Sequence, residues 1–182
     1  MTRAPDRVAR QPAPQGAGVR DGVPRPDDHS FDAFYRAQSD RVYRALLLTL
    51  GDPYLAREAA DEAMARACAR WHTVGGLDNP GGWAYRVGLN WATSWWRKLR
   101  RERPLEPDWG VGTVPDPQVT VALDALRELP LPQRAVVVCR VLLDLSTAET
   151  AALLGLAEGT VKSRLARALA ALRAVLSDQG EA

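Results

Sequence analysis

The sequence predicts an all-α fold of two small helical domains joined by a flexible linker, on three observations. Apolar residues recur three or four apart through most of the chain, the spacing of a helix with one buried face. Cap and stop residues punctuate those stretches at helix-length intervals. Residues 104–117 hold four prolines, two glycines and no period, which marks a break between two helical groups.

The elements follow in order. Residues 1–29 are rich in Pro, Gly, Arg and Asp and show no period. Such a stretch buries too little apolar surface to offset its ordering entropy, so it reads as a disordered arm. Asp6, Asp21, Asp27 and Asp28 nearly balance its arginines, which favours a solvated tail over a DNA-binding one. Ser30 is placed to cap a first helix carrying Phe31, Phe34, Tyr35, Val42, Leu46 and Leu50, with Gln38 as the one polar interruption of the stripe. Gly51 ends it, and Asp52-Pro53 supplies an N-cap followed by proline at the first helical position. The second helix runs to about Trp71, with Leu55, Ala59, Ala63, Ala67 and Trp71 on one stripe. Residues 74–82 read as a loop by their turn chemistry, and a third helix is expected from about Trp83 to Arg101. Four shorter helices follow the linker, at about 118–129, 132–144, 147–154 and 160–176. The run Ala135 to Cys139 alone has strand-like composition, and its neighbours favour a buried helix. The domain boundaries are therefore 1–29 for the arm, 30–103, 104–117 for the linker, 118–177, and a tail at 178–182.

Composition narrows the function. The 182 residues are 46% hydrophobic and 25% charged, with a formal net charge of +2, so overall charge says little about partners. Cys68 and Cys139 lie in apolar helical stretches, and His29 and His72 are isolated. Two buried free thiols are expected, with no disulfide framework and no metal site. No apolar run approaches the ~20 residues a membrane crossing needs, and no apolar stretch follows Arg3, Arg7 and Arg10 as a signal peptide would require. A cytoplasmic protein without membrane insertion is expected. No phosphate loop, metal cluster or Ser/His/Asp arrangement marks an enzyme, and no cofactor is expected.

The C-terminal region carries a DNA-binding pattern. Ser146-Thr-Ala-Glu149 fits a capping box, in which each end satisfies the other's free amide. Ala151, Gly155 and Val161 fall where a helix-turn-helix needs a small residue, a turn residue and a buried apolar one. Thr160 is placed to cap the next helix, whose stripe Val161, Leu165, Leu169, Leu172 and Leu176 faces inward. Its other face carries Lys162, Arg164, Arg167 and Arg173, with no acid between Thr160 and Leu176. Basic side chains at a helix N-terminus suit the major groove, where arginine grips a guanine edge or a phosphate.

The segment Gly159-Thr-Val-Lys-Ser-Arg-Leu165, continuing through Arg173, resembles the C-terminal DNA-reading helix of extracytoplasmic-function (ECF) sigma factors. Leu129-Pro-Leu-Pro-Gln-Arg-Ala135 resembles the stretch that opens the helix before that motif. The resemblance implies a region 4-like domain at 118–177, in which Thr160, Lys162, Ser163, Arg164 and Arg167 meet the minus-thirty-five promoter element.

The N-terminal group adds a second nucleic-acid surface. Six basic residues and one acid, Glu102, lie between Arg86 and Arg103. Arg86, Asn90, Thr93, Arg97 and Arg100 share one helical face, with Trp91, Ala92, Trp95 and Leu99 roughly opposite, where the two tryptophans read as core. Trp96 lies beside the polar face, open equally to stacking on an unpaired base and to burial. Trp83-Ala-Tyr-Arg-Val87, Asn90 and Arg97-Lys-Leu-Arg-Arg101 resemble the ECF helix that melts and reads the minus-ten element, with Ser94 where many members carry Asp. The preceding Gly/Asn loop falls where the family captures an extruded base. The resemblance implies a region 2-like domain at 30–103, with Asn79, Arg86, Asn90, Trp96, Arg97, Arg100 and Arg101 on the minus-ten side. Leu55 to Arg66 resembles the acidic helix that grips core polymerase, which implies that role for Glu58, Asp61 and Glu62. It carries Ala59-Ala60 where the familiar pattern has Leu-Val, and Asp61 where it has Gln.

The implied partners are core RNA polymerase and promoter DNA, with an anti-sigma factor as a further partner common in the family. The alternative is a stand-alone helix-turn-helix regulator of duplex DNA, which leaves the region from 53 to 101 without a task.

Overall fold

In the computed structural model the backbone is described over residues 26–102 and 123–180, and the side chains over 31–94 and 123–174. Residues 1–25 of the expected arm and the linker expected over 104–117 lie outside the described residues. Every regular element among the described residues is a helix. They are α1 (Pro26–Leu50), α2 (Pro53–Ala69), α3 (Trp71–Val74), α4 (Pro80–Glu102), α5 (123–127), α6 (Leu131–Val141), α7 (Thr147–Leu154) and α8 (Glu158–Gly180).

Three helices start earlier than their cap patterns predict. Helix α1 begins at Pro26, so Ser30 lies inside its first turns and is not its cap. Proline at the first helical position suits a helix N-terminus. Helix α4 begins at Pro80 and not near Trp83, because Asn79 caps it: the Gly82 N–H donates to Asn79 Oδ1 at 2.7 Å. Helix α8 begins at Glu158, and Thr160 is helical, its N–H donating to the Ala157 carbonyl at 2.9 Å. Two helices stop earlier than expected. Helix α2 gives way at Arg70, and α6 ends at Val141. The turn after α6 passes through Asp144 at a left-handed φ of 54°.

The remaining signals hold. Gly51 terminates α1 at φ 77°, and Asp52 Oδ1 accepts from the Tyr54 and Leu55 amides at 2.9 and 3.0 Å. Helices α1, α2 and α4 pack as one unit, with Leu55, Ala59, Ala63 and Ala67 inward. Trp71 closes an aromatic end of this unit, its ring 5.4 Å from Phe31 and 4.9 Å from Phe34. Trp83 and Trp91 pack half-buried against the core, and the side chain of Trp95 lies outside the described residues. In the second unit α6 is the buried helix, with Ala135 through Cys139 all inside. Val136, Ala151 and Val161 pin α6, α7 and α8 together. On α8 the inward stripe is Val161, Leu165, Ala168 and Leu172, with Ala168 packed against Leu126, Leu129 and Val137, whereas Leu169 is 36% exposed and the side chain of Leu176 lies outside the described residues. The thiols also divide: Cys139 is buried as expected, but Cys68 near the end of α2 is exposed.

The two units are in direct contact. Ala135, Val138 and Cys139 of α6 share one buried cluster with Val42, Leu46, Leu47 and Leu50 of α1 and Tyr85 of α4.

Candidate nucleic-acid interface

Helix α7 is set by the reciprocal box its sequence announces. Ser146 Oγ accepts from the Glu149 amide at 3.1 Å, and the Ser146 amide donates to Glu149 Oε2 at 2.7 Å. Those hydrogen bonds hold the Glu149 carboxyl below its usual range. Gly155 closes α7 in the left-handed region at φ 66° and turns the chain into α8.

This framework presents the first turns of α8 outward. Lys162, Ser163 and Arg167 are exposed, and Thr160 and Arg164 are half-buried. Arg167 Nε donates to the Ser163 carbonyl at 3.2 Å, and Ser163 Oγ donates to the Thr160 carbonyl at 3.1 Å. Val161 on the opposite side is fully buried, so the helix cannot roll this face inward without emptying its own anchor. All five residues expected on this helix therefore lie within its first three turns.

The residues expected on the minus-ten side fare differently. Asn79, Arg86 and Asn90 are exposed. The carboxamide oxygen of Asn79 is committed to capping α4, while Arg86 Nη1 donates to the Ala152 carbonyl of α7 at 3.3 Å. Trp96, Arg97, Arg100 and Arg101 fall on α4, but their side chains lie outside the described residues. On α2, Glu58 and Asp61 are exposed, and Glu62 pairs with Arg66 at 2.8 Å.

Between α1 and the start of α4 lies a cavity of about 230 Å³, lined by Phe34, Gln38, Arg41, Asp78, Asn79 and the Gly81-Gly82 pair, with Leu143 from the second unit. A Cβ on Gly81 would come within 2.9 Å of Gln38 Oε1, so the glycine lets that amide reach the loop. Neither Arg41 nor Leu143 is singled out by sequence pattern. Gln38 left one trace, as the polar residue that broke the α1 stripe.

Comparison with known proteins follows the same lines. The family model for sigma-70, region 4 matches residues 121–172. The chain is 37% identical over 148 residues to the RNA polymerase sigma-E factor of Streptomyces coelicolor, covering 79% of this chain and 84% of that protein. It is 35% identical over 161 residues to the ECF RNA polymerase sigma factor SigM of Mycobacterium tuberculosis, covering 82% and 79%. Among solved structures it is similar to the sigma factor RpoE of Bartonella quintana, in complex with the anti-sigma factor NepR. The TM-score is 0.67 over 81% of this chain and 96% of that one, at 22% identity. CnrH, in complex with the cytosolic domain of CnrY, gives 0.57 over 81% and 88%, at 24% identity. At such identities these two structures bear on the fold alone.

Proposed function

The chain belongs to the ECF sigma factors of RNA polymerase, and on that footing we propose a division of labour among its surfaces. The exposed acidic face of α2, with Glu58, Asp61 and Glu62, holds core polymerase. The basic side of α4, with Asn79, Arg86, Asn90, Trp96, Arg97, Arg100 and Arg101, opens and reads the minus-ten element. The first turns of α8, with Thr160, Lys162, Ser163, Arg164 and Arg167, dock on the minus-thirty-five element. Residues 104–117 tether the two domains, so that capture of one element raises the effective concentration of the other contact.

One observation carries this reading. A helix-turn-helix with a basic exposed reading face shares its chain with a second helical domain whose α2 exposes Glu58 and Asp61. A stand-alone regulator has no use for that acidic face. An anti-sigma factor is proposed as a further partner by analogy with the sigma factor RpoE, which was solved in complex with the anti-sigma factor NepR. The activity proposed is recognition and strand opening, with catalysis supplied by the polymerase.

The test is size-exclusion chromatography of the purified chain with sigma-free core RNA polymerase, followed by promoter-dependent transcription. Co-elution that another sigma factor competes away is the expected result. Glu58→Lys combined with Asp61→Lys abolishes it, whereas Arg164→Ala keeps co-elution and loses transcription. Separate elution at several salt concentrations, with saturable binding to a palindromic duplex, would replace this reading with that of a stand-alone regulator.

A further inference from the structure

Helix α2 leaves one lengthwise stripe uncovered. Tyr54, Glu58, Asp61, Ala65 and Cys68, spaced alternately four and three apart, are all exposed. Toward the end of α2 this stripe runs into a groove of about 290 Å³ against α1. Phe31 and Tyr35 of α1 line it from one side, and Asp61, Met64, Ala65 and Cys68 of α2 from the other. Tyr35 is 43% exposed, so among the described residues the groove stands open. The acids beside it are also unmatched. Arg66 pairs with Glu62 at 2.8 Å, and the Arg57 guanidinium lies 3.9 Å over the Tyr43 ring. Glu58 and Asp61 have no ion pair among the described residues.

An apolar groove with acids on its lip suits a segment that is apolar and basic, and this chain carries one beside it. Residues 1–25 lead directly into α1 at Pro26, little more than one turn before Phe31. Asp27 and Asp28 belong to α1, so these residues set Arg3, Arg7, Arg10, Arg20 and Arg25 against Asp6 and Asp21, five minus two, a net charge of +3. Val19-Arg20 and Val23-Pro24-Arg25 twice place a valine close to an arginine. Pro26 and Tyr35 are separated by roughly 14 Å of helix, which about four extended residues cover. The segment from Val19 to Arg25 therefore reaches the groove with chain left for a turn. We infer that residues 19–25 fold back into the α1–α2 groove in the free chain, valines inward and arginines beside Asp61 and Glu58, and that the arm competes there with core polymerase. The competition rests on the polymerase role proposed for Glu58 and Asp61; the seating of the arm does not. A tether supplies an effective concentration on the order of millimolar, so a contact too weak to hold a free peptide suffices.

Cys68 reports on the groove in the intact chain. It is an exposed free thiol lining the groove, whereas Cys139 is buried and its thiol pushed up to about 12, so a maleimide dye reads Cys68. A seated arm slows labelling by the fraction of time the groove is open, and weakens the affinity for core polymerase by the same factor. With the groove covered about nine-tenths of the time, both change about tenfold. Val19→Asp with Val23→Asp removes the apolar contacts, and Arg20→Glu with Arg25→Glu reverses the charges. Each pair is expected to speed labelling and tighten core binding by one common factor. All four positions precede α1, so no helix is altered. Equal labelling rates in the unmodified chain and both variants would overturn the inference. Faster labelling in the variants at unchanged affinity for core polymerase would overturn the competition. Faster labelling in the variants, with no chain binding core polymerase at all, would uphold the seated arm and sink the polymerase reading instead.

Discussion

The Tyr85 hydroxyl and Thr49 Oγ1 lie 2.8 Å apart in the core, and Thr49 Oγ1 also donates to the Ala45 carbonyl at 2.8 Å. Thr49 has one proton, and the carbonyl takes it, so Tyr85 must be the donor to Thr49. The order of the pair predicts unequal costs. Tyr85→Phe removes a donor and leaves Thr49 still bonded to Ala45, a loss of about 1 kcal/mol. Thr49→Val removes that acceptor and leaves the Tyr85 proton only the Cys139 sulfur, a weak acceptor, which costs about 1–3 kcal/mol. Urea denaturation of the two variants checks the ranking, and a larger loss for Tyr85→Phe would reverse the assigned direction.

Alkaline pH attacks the same region. Burial pushes the Cys139 thiol from an ordinary 9.0 up to about 12, and burial also pushes Tyr85 well above 10.0. Both groups fold as neutral acids with raised values, so their contribution to stability is complete below the unfolded values. It is lost as pH rises through the folded ones. Stability is therefore expected to decline from pH 9 toward 12, and Cys139→Ala to flatten the early part of that decline. Urea midpoints measured across this alkaline range decide the matter. Parallel curves for the variant and the unmodified chain would count against Cys139 as the source.

Two glycines are needed for opposite reasons, and substitution separates them. A Cβ on Gly88 would sit 2.8 Å from the Ala59 carbonyl and 2.8 Å from Leu46 Cδ1, with nowhere for the α2 backbone to go. Gly88→Ala is expected to cost about 1–3 kcal/mol through overpacking. Gly155 has open space around its Cα but a φ of 66°. There Gly155→Ala is expected to cost about 1 kcal/mol for the left-handed backbone, and Gly155→Asn less. Thermal melts of the three variants test this, and a smaller loss for Gly155→Asn than for Gly155→Ala, with the largest loss at Gly88→Ala, is the discriminating result.

The same pair shows where the sequence is legible. Gly155 announces itself, because the turn chemistry that needs it is written within a few residues on either side. Gly88 does not, because its reason lies across the core on α2. Asp52-Pro53 and the Ser146–Glu149 box place α2 and α7 well for the same local reason. Helix α8 starts earlier than read, at a turn where the Ala157 carbonyl accepts the Thr160 and Val161 amides and no cap residue advertises it. The charged faces of α2 and α8 are legible as helical stripes. The contact of the two units is not, since it brings Tyr85 of α4 and Cys139 of α6, far apart in the chain, into one cluster.

The α8 face makes a prediction in which stability and DNA contact come apart. Lys162 is exposed on the second turn, on the side away from the Val161 anchor, so its ammonium contributes charge and nothing to packing. If it neutralises one phosphate of the minus-thirty-five element, Lys162→Ala lowers the salt slope of holoenzyme binding by about 0.9 log units per log salt. It leaves the melting temperature of the chain unchanged. Ser146→Ala does the reverse. It removes the cap of α7 and costs about 1 kcal/mol of stability, but it touches no phosphate and leaves the slope where it was. Arg167→Ala is a third case, because the Ser163 carbonyl steadies its guanidinium on the exposed side of α8. It is expected to lower both the slope and the affinity at fixed salt. Filter binding of the three holoenzymes to one promoter over a range of salt separates these cases. An unchanged slope for Lys162→Ala would remove that residue from the phosphate contacts.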